Sequence, residues 1–243
     1  MQEKKKAKKI AVIGAMDEEV ALLKKEMEQC SEQMLAGMNF ISGKLWGVDT
    51  VAVVSGIGKV NMAVCAQILA DRYDVDVLIN TGVAGSLNNA IEIGDIVIST
   101  CAQQHDMDVS ALGDPVGTIP RMEESIFKAD EELVKQAKLA CETANPEIQC
   151  FLGKVVSGDQ FIAGQEKKQW LIQTFAGDCA EMEGASMAQV AYLNNIPFVI
   201  IRAISDKADD SGQEDYPVFA KKAIMHTTKL LKQMYAQMAE KWQ

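Results

Sequence analysis

The sequence predicts a single α/β domain with a largely central sheet. Short apolar runs typical of strands alternate with segments whose apolar residues recur at helical spacing. Apolar residues make up 48% of the 243 residues, which is enough for one sizeable core. No repeat, low-complexity segment or interdomain linker interrupts this alternation. We therefore expect residues 8–243 to form one domain and residues 1–7 to be a disordered basic tail.

The first hundred residues predict five strands and two helices. The strands are short apolar runs, and the second and third flank Gly47-Val48-Asp49, which is typical of a hairpin turn. In the helices, apolar residues lie three or four positions apart. The predicted strands are Lys9–Ala15, Phe40–Trp46, Thr50–Val54, Val75–Asn80 and Asp95–Thr100, and the predicted helices are Glu18–Gln29 and Lys59–Arg72.

The second half continues the alternation. Asp130 is a typical N-cap for a helix that stops at Asn145-Pro146. The predicted elements are the helix to Thr143, strand Cys150–Ser157, helix Glu183–Leu193, the buried strand Pro197–Ile204 and an amphipathic helix from near Asp215. Two segments, Gln103–Met122 and Lys207–Glu214, predict long loops. Such loops in compact domains are usually lids, binding loops or interface arms.

Composition excludes several classes of function. The formal net charge is −10, although five lysines lie among the first nine residues. An acidic body lacks the clustered cations that nucleic-acid binding needs. Six scattered cysteines with no Cys-x-x-Cys pair predict buried thiols in a reducing cytoplasm. The chain has no run of 18 apolar residues, so we expect no membrane partner. It has only two histidines, which argues against a histidine-based metal site. We also expect no cofactor.

Two glycine-containing segments follow predicted strands. The segment Ser55–Lys59 resembles a nucleotide-binding loop, but Val53 and Val60 stand where a P-loop requires Gly and Ser or Thr. Its glycines fit a tight turn that approaches a ligand or a helix. The segment Asn80–Gly85 is either a strand–helix turn or a close approach of backbone to a base or sugar at the carboxyl edge of the sheet.

Acidic residues lie beside three apolar segments. They are Asp17–Glu19, the pair Glu181 and Glu183 before a predicted helix, and Asp206 after the last predicted strand. Buried carboxylates are costly unless something binds them, so this pattern favours a site for an uncharged, polyhydroxylated substrate. The pair would share one face of an extended segment, or simply interact with a helix dipole. Asp206 is either an ordinary N-cap or ion-pair partner, or a general acid in a semi-buried pocket.

These residues, taken together and in order, resemble a known enzyme family. The chain resembles the 5′-methylthioadenosine/S-adenosylhomocysteine nucleosidases of the nucleoside phosphorylase superfamily, from about residue 8 to 238. The resemblance implies a three-layer αβα fold with a central mixed, partly barrel-like twisted sheet. The segments that carry it are Ile13–Glu19, Ser55–Val60, Asn80–Gly82, Val156–Asp159, Glu181–Glu183 and Arg202–Asp206.

The resemblance implies hydrolysis of the adenine–ribose bond, in methionine salvage and the activated-methyl cycle. Asp206 matches the family's general acid, which protonates the purine at N7, and Ser205 should orient it. Glu19 matches the base that activates water, and Arg202 would order Glu19 and this water. Glu183 matches the residue that binds the ribose hydroxyls.

Further residues are assigned to the substrate pocket by the same resemblance. Phe161 would stack on the adenine, and the backbones of Ile162 and Gly85 would touch its edge. The family is dimeric, so the partner subunit would close the thioether end. The remaining matches are Met182 under the ribose, Met16 and Ile57 near the ribose and 5′-sulfur, Val109 and Leu112 from the partner subunit, and Tyr216 as an aromatic lid.

The sequence departs from the family pattern at three positions. Val83 replaces a small hydroxyl residue, Leu112 replaces an aromatic residue, and Asp114 replaces another. These changes bear on the preference for the 5′-substituent, and they leave the acid–base residues intact.

Several other functions stay open at this stage. A purine nucleoside phosphorylase would need cationic or helix-end donors for phosphate near the first glycine loop, where the chain has Asp17–Glu19 instead. A futalosine-type nucleoside hydrolase is a second alternative. A binding protein that lost catalysis would have lost one of its three carboxylates, and a base-flipping DNA glycosylase would need a basic groove.

Overall fold

The computed structural model describes residues 8–210 and 212–242. Within these ranges it contains ten strands, six α-helices and one short 3-10 helix. The strands are β1 (Ile10–Gly14), β2 (Met27–Leu35), β3 (Met38–Leu45), β4 (Val48–Val54), β5 (Val77–Ser86), β6 (Ile96–Gln104), β7 (Ile126–Lys128), β8 (Cys150–Ser157), β9 (Cys179–Glu181) and β10 (Phe198–Asp206). The helices are α1 (Asp17–Glu26), α2 (Lys59–Tyr73), α3 (Glu131–Ala144), α4 (Gln165–Phe175), α5 (Gly184–Asn194) and α6 (Gly212–Trp242), and the 3-10 helix is Ser110–Leu112.

The sheet is mixed and partly closed, as the resemblance implies. Its strand order is β10-β6-β8-β9-β5-β1-β4-β3-β2, and β10 also pairs with β5, so five strands form a closed ring. The pairs β5–β10, β1–β5, β6–β8 and β8–β9 are parallel, whereas β10–β6 and β5–β9 are antiparallel. The strands β1, β4, β3 and β2 extend the sheet beyond the ring.

The helices complete a three-layer αβα arrangement. The long helix α6 packs against α3, β10 and α1, while α2 packs against α5. The main core lies between these helices and the sheet, and every residue of β1 and β10 is buried. A smaller apolar cluster includes Leu171 and Phe175 of α4 together with Ala208, which follows β10. This second cluster brings α4 close to the carboxyl end of β10.

The structure corrects two of the predicted segments and adds elements that were not predicted. The first helix ends at Glu26 rather than Gln29, because the chain then enters β2, seven of whose nine residues are exposed. An edge strand with so few buried residues has no apolar alternation to reveal it. The segment Asn80–Gly85 is not a strand–helix turn, since β5 continues to Ser86. The helix α4 and the three-residue strands β7 and β9 were not predicted.

The predicted loops are confirmed only in part. The strand β6 takes in the first two residues of Gln103–Met122, and the 3-10 helix lies within the rest. The helix α6 begins at Gly212, so the loop after β10 is shorter than Lys207–Glu214. The predicted tail, residues 1–7, lies outside the described residues. No helix in the described part of the chain is long and apolar enough to cross a membrane.

Candidate active site

One cavity of about 420 Å³ lies where β5, β9 and β10 end beside the start of α1. A smaller space beside it is lined in part by Ile162. The predicted site residues that line the larger cavity are Met16, Glu19, Ile57, Val83, Gly85, Phe161, Met182, Glu183, Ser205 and Asp206. Ala15, Ala84, Ala180 and Glu181 complete the lining. The cavity therefore brings together the three acidic segments that lie far apart in the sequence.

Glu19 is a buried carboxylate fixed by three backbone groups. Its Oε2 accepts hydrogen bonds from the N–H of Ala15 at 2.6 Å and of Met16 at 3.0 Å, and its Oε1 accepts one from Val83 at 3.2 Å. Burial raises the pKa of Glu19 above its usual value, while the positive charge of Arg202 and these hydrogen bonds act in the opposite direction. A carboxylate with a raised pKa and a fixed orientation is suited to accept a proton.

Glu183 lies at the N-terminus of α5 and faces the same cavity. Its Oε1 accepts a hydrogen bond of 2.8 Å from the N–H of Gly58. Gly58 has φ = +97°, so the turn before α2 requires a residue tolerant of the left-handed region. Burial raises the pKa of Glu183 to about 7, and repulsion from the Glu181 carboxylate adds to this. A ligand that donates hydrogen bonds to Glu183 would therefore stabilise its ionised form.

Arg202 does not line the cavity itself but forms a buried ion pair with Glu181, which does, and both side chains are nearly inaccessible to solvent. Arg202 also donates to the side chain of Asn80, and Ser157 donates its hydroxyl to Glu181. Burial opposes the charge of Arg202, but Glu181, Glu183 and Glu19 raise its pKa further. The expectation that Arg202 orders Glu19 is corrected in one respect: its side chain donates to Glu181, Asn80 and the carbonyl of Ile201, and it acts on Glu19 through its charge.

Glu181 has a structural role that was not predicted from the sequence. The carboxylate of Glu181 accepts hydrogen bonds from the N–H of Glu183 at 3.2 Å and of Gly184 at 2.8 Å, in addition to its pairing with Arg202. It therefore fixes the backbone that carries Glu183 into the cavity. The signal available in the sequence was one arginine within an otherwise apolar strand, because a buried arginine requires a carboxylate partner.

Asp206 ends β10 with its carboxylate held at both oxygens. Its Oδ2 accepts a hydrogen bond of 2.9 Å from the hydroxyl of Ser205, and its Oδ1 accepts one of 2.8 Å from the N–H of Ala208. Gly85 lies so close that a Cβ there would be 2.6 Å from Oδ1. The carboxyl group of Asp206 is therefore fixed in orientation at the edge of the cavity.

The predicted apolar site residues fall into those that line the cavity and those that do not in a single chain. Phe161 is 51% exposed and lies near Asp206, so a flat ring could stack on it. Met16, Ile57 and Val83 line the cavity together with Glu19. Val109 and Leu112 do not line it in a single chain, since Leu112 is 84% exposed on a surface loop. The side chain of Tyr216 lies outside the described residues.

No metal centre is evident in the described residues: no three His, Cys, Asp or Glu side chains cluster as ligands would. The geometry instead places three fixed carboxyl groups around one cavity. Such a set can donate a proton, accept a proton and bind hydroxyl groups without a metal ion.

Comparison with known proteins shows which family the chain belongs to. The sequence model of the phosphorylase superfamily matches residues 9–236. The 5′-methylthioadenosine/S-adenosylhomocysteine nucleosidase of Bacillus licheniformis is 40% identical over 227 residues, which cover 93% of this chain and 97% of that protein. This chain belongs to that nucleosidase family.

Solved structures agree with this assignment to the nucleosidase family. The nucleosidase of Colwellia psychrerythraea in complex with adenine matches with a TM-score of 0.91 and 35% identity, over 96% of both chains. The futalosine hydrolase of Helicobacter pylori also matches, with a TM-score of 0.90 and 31% identity over 95% of this chain and all of that one. The fold is thus shared by enzymes that act on two kinds of nucleoside.

Proposed function

We propose that this protein hydrolyses the N-glycosidic bond of 5′-methylthioadenosine and S-adenosylhomocysteine, releasing adenine and the 5-substituted ribose. Membership of the nucleosidase family supports the reaction class. The observation that carries the proposal is the convergence of Glu19, Glu183 and Asp206 on one largely apolar cavity. An apolar cavity also suits the thioether that both nucleosides carry at the 5′ position.

In this mechanism, Asp206 acts as the general acid. Adenine is a poor leaving group as an anion, so the departing base must be protonated, and Asp206 would protonate it at N7. Ser205 and the N–H of Ala208 keep the carboxyl group in one orientation. Phe161 would stack on the base while the backbones of Gly85 and Ile162 contact its edge. A positioned acid of this kind contributes about 10²–10⁴-fold to a rate.

Glu19 and Glu183 would act at the ribose. Glu19 would take a proton from the attacking water, a role that its raised pKa and its three fixed hydrogen bonds support. Glu183 would bind the ribose hydroxyls and favour the positive charge that develops on the sugar, with Met182 beneath the ring. A base and an acid on opposite sides of a glycosidic bond, with water between, parallel an inverting glycosidase.

The 5′-substituent would lie near Met16 and Ile57. We propose a homodimer in which Val109 and Leu112 of the partner subunit close this end, which their position on an exposed loop of the single chain supports. Tyr216 would act as a lid. The apolar Val83 would leave a polar contact near the sugar unmade, and 5′-deoxyadenosine is a further expected substrate.

We also propose a cytoplasmic location, which the free thiols of all six cysteines support.

Hydrolysis of futalosine-type nucleosides is the second candidate, favoured by the likeness to the Helicobacter pylori enzyme. Phosphorolysis is less compatible with the site, because three acidic residues at the start of α1 would repel phosphate.

One assay tests the proposed function against both alternatives. Adenine release would be measured from methylthioadenosine, S-adenosylhomocysteine and 5′-deoxyadenosine, and base release from futalosine, each with and without phosphate. We expect rapid adenine release that does not depend on phosphate. A strict requirement for phosphate, or cleavage of futalosine alone, would contradict the proposal.

A further inference from the structure

A buried lysine of α4 contacts the backbone immediately after Asp206. Lys168 is 3% exposed, and its ammonium donates a hydrogen bond of 2.6 Å to the carbonyl of Lys207. It also lies 3.5 Å from a carboxylate oxygen of Asp209. Burying an ammonium group is costly unless it is hydrogen-bonded or paired. The neighbouring side chains Leu171 and Phe175 are apolar, so packing alone does not require a charged side chain at position 168.

The backbone that Lys168 holds has an unusual conformation. Ala208 has φ = +53°, in the left-handed region that residues other than glycine rarely adopt. Its side chain is fully buried in the apolar cluster of α4. In this conformation the N–H of Ala208 donates to Oδ1 of Asp206 at 2.8 Å. One of the two hydrogen bonds that orient the Asp206 carboxyl group therefore depends on a backbone conformation that alanine disfavours.

The side chain of Lys207 ties the same turn to a second element. Its ammonium donates to the carbonyl of Ile91 at 2.9 Å and to the carboxylate of Glu92 at 2.8 Å. The side chain of Lys207 is partly exposed, whereas that of Lys168 is buried. Salt and water screen the outer contact more strongly, so the buried ammonium provides the firmer attachment.

We propose that Lys168 is a positioning residue for the general acid: by holding the carbonyl of Lys207 it fixes the turn at Ala208, which orients the carboxyl group of Asp206 toward the departing base. This inference rests on the proposed function. Lys168 acts through Asp206 and does not line the cavity. Loss of its ammonium should impair protonation of the base and leave binding of the sugar and the 5′-substituent intact.

The test compares two leaving groups on the same enzyme. Methylthioadenosine needs a proton on its base, whereas a 4-nitrophenyl riboside with the same 5-methylthio group releases nitrophenolate without one. For Lys168→Met we expect kcat with methylthioadenosine to fall by about 10- to 100-fold, with KM little changed. We expect kcat with the nitrophenyl riboside to stay within about twofold of the unmodified enzyme. The neighbouring Lys167→Met, which removes a cation that lies 3.9 Å over the Trp170 ring, should change neither rate.

The ratio of the two rates does not depend on how much of the protein folds. If Lys168→Met yields no folded protein, the ratio of kcat with methylthioadenosine to kcat with the nitrophenyl riboside is measured for Lys168→Gln instead. We expect Lys168→Arg to restore much of the ratio that the unmodified enzyme shows. An equal loss with both substrates, or no loss with methylthioadenosine, would overturn the positioning role. Absence of adenine release by the unmodified enzyme would instead refute the proposed function, so the two failures are distinguishable.

Discussion

Gly85 leaves room for the carboxyl group of Asp206. A Cβ at position 85 would lie 2.6 Å from Oδ1 of Asp206 and 2.8 Å from the Cβ of Ala208, closer than real contacts of this kind. The two residues lie on β5 and β10, which pair in parallel at this point. The absence of a side chain at position 85 of β5 thus leaves room for the Asp206 carboxyl group at the end of β10.

Gly85→Ala should therefore impair catalysis more than folding. We expect the added methyl group to displace Asp206 and Ala208 and to lower kcat with methylthioadenosine by at least about tenfold. Gly164→Ala is a matched control, because nothing lies within 4 Å of a Cβ at that position. Steady-state kinetics and thermal unfolding of both variants check the prediction, which is wrong if Gly85→Ala retains full activity.

Asp206→Asn should abolish turnover of methylthioadenosine and leave the fold intact. An amide cannot supply the proton that the departing base needs, so we expect a loss of at least about 10²–10⁴-fold in kcat. The exposed neighbour Asp210 provides the control, since Asp210→Asn should retain activity. Adenine release and circular dichroism are the measurements. Full activity of Asp206→Asn would remove the general-acid assignment.

Glu19→Gln should slow hydrolysis by about 10²–10⁴-fold while still permitting tight binding of a cationic ribose mimic. The amide can no longer accept a proton, but it occupies the same space beside Ala15 and Met16. The adjacent Glu18→Gln alters an exposed residue and should behave like the unmodified enzyme. Calorimetry with the mimic separates the two outcomes, because loss of binding together with catalysis would indicate a structural role for Glu19.

Glu183→Gln should stabilise the empty enzyme above neutral pH. The unfolded glutamate loses its proton near pH 4.5, whereas the folded one keeps it until about pH 7. Between these values the folded state binds more protons, so the contribution of Glu183 to stability is present below pH 4.5 and is lost as the pH rises through 7. The full effect is on the order of 3 kcal/mol.

Thermal unfolding at several pH values checks this sign. The gain in Tm of Glu183→Gln over the unmodified enzyme should be smallest near pH 4.5 and largest near pH 8. Glu166→Gln, at an exposed position of α4, should show no such trend. A gain that is constant across the range would contradict the raised pKa.

We expect a large coupling between Arg202 and Glu181 in the free energy of unfolding. Arg202→Met leaves the Glu181 carboxylate buried without its cation, which we expect to cost roughly 3–5 kcal/mol. Addition of Glu181→Gln removes the unpaired charge, so the double variant should recover at least about 1 kcal/mol relative to the sum of the single changes. Urea unfolding of the three variants measures the coupling. Additive losses would mean that the pair contributes no specific interaction.

The sequence predicted the elements that carry the strongest local signals. The strand Pro197–Ile204 was predicted from its apolar, β-branched run, and all residues of the observed strand Phe198–Asp206 are buried. Asp130 was predicted as an N-cap, which its 2.9 Å hydrogen bond from the N–H of Leu133 confirms. The edge strand β2 was missed because most of its side chains face solvent. Local patterns reveal an element only when one of its faces is buried.

Most residues that line the cavity were predicted from the sequence, but the contacts between them were not. The acidic segments that contain Glu19, Glu183 and Asp206 were noted because they lie beside apolar segments, and the family resemblance assigned roles to these three residues. The structure brings all three to one cavity. The pairing of Arg202 with Glu181 rather than Glu19 depends on distances between strands that no local pattern encodes. The contact of Lys168 with the turn after Asp206 was missed for the same reason, because α4 itself was not predicted.

The central claim is tested most directly by a crystal structure with a stable analogue of methylthioadenosine. We expect the carboxyl group of Asp206 within hydrogen-bond distance of N7, that of Glu183 at the ribose hydroxyls, and that of Glu19 at a water molecule facing the anomeric carbon. A bound nucleoside whose glycosidic bond lies away from these three groups would contradict the account.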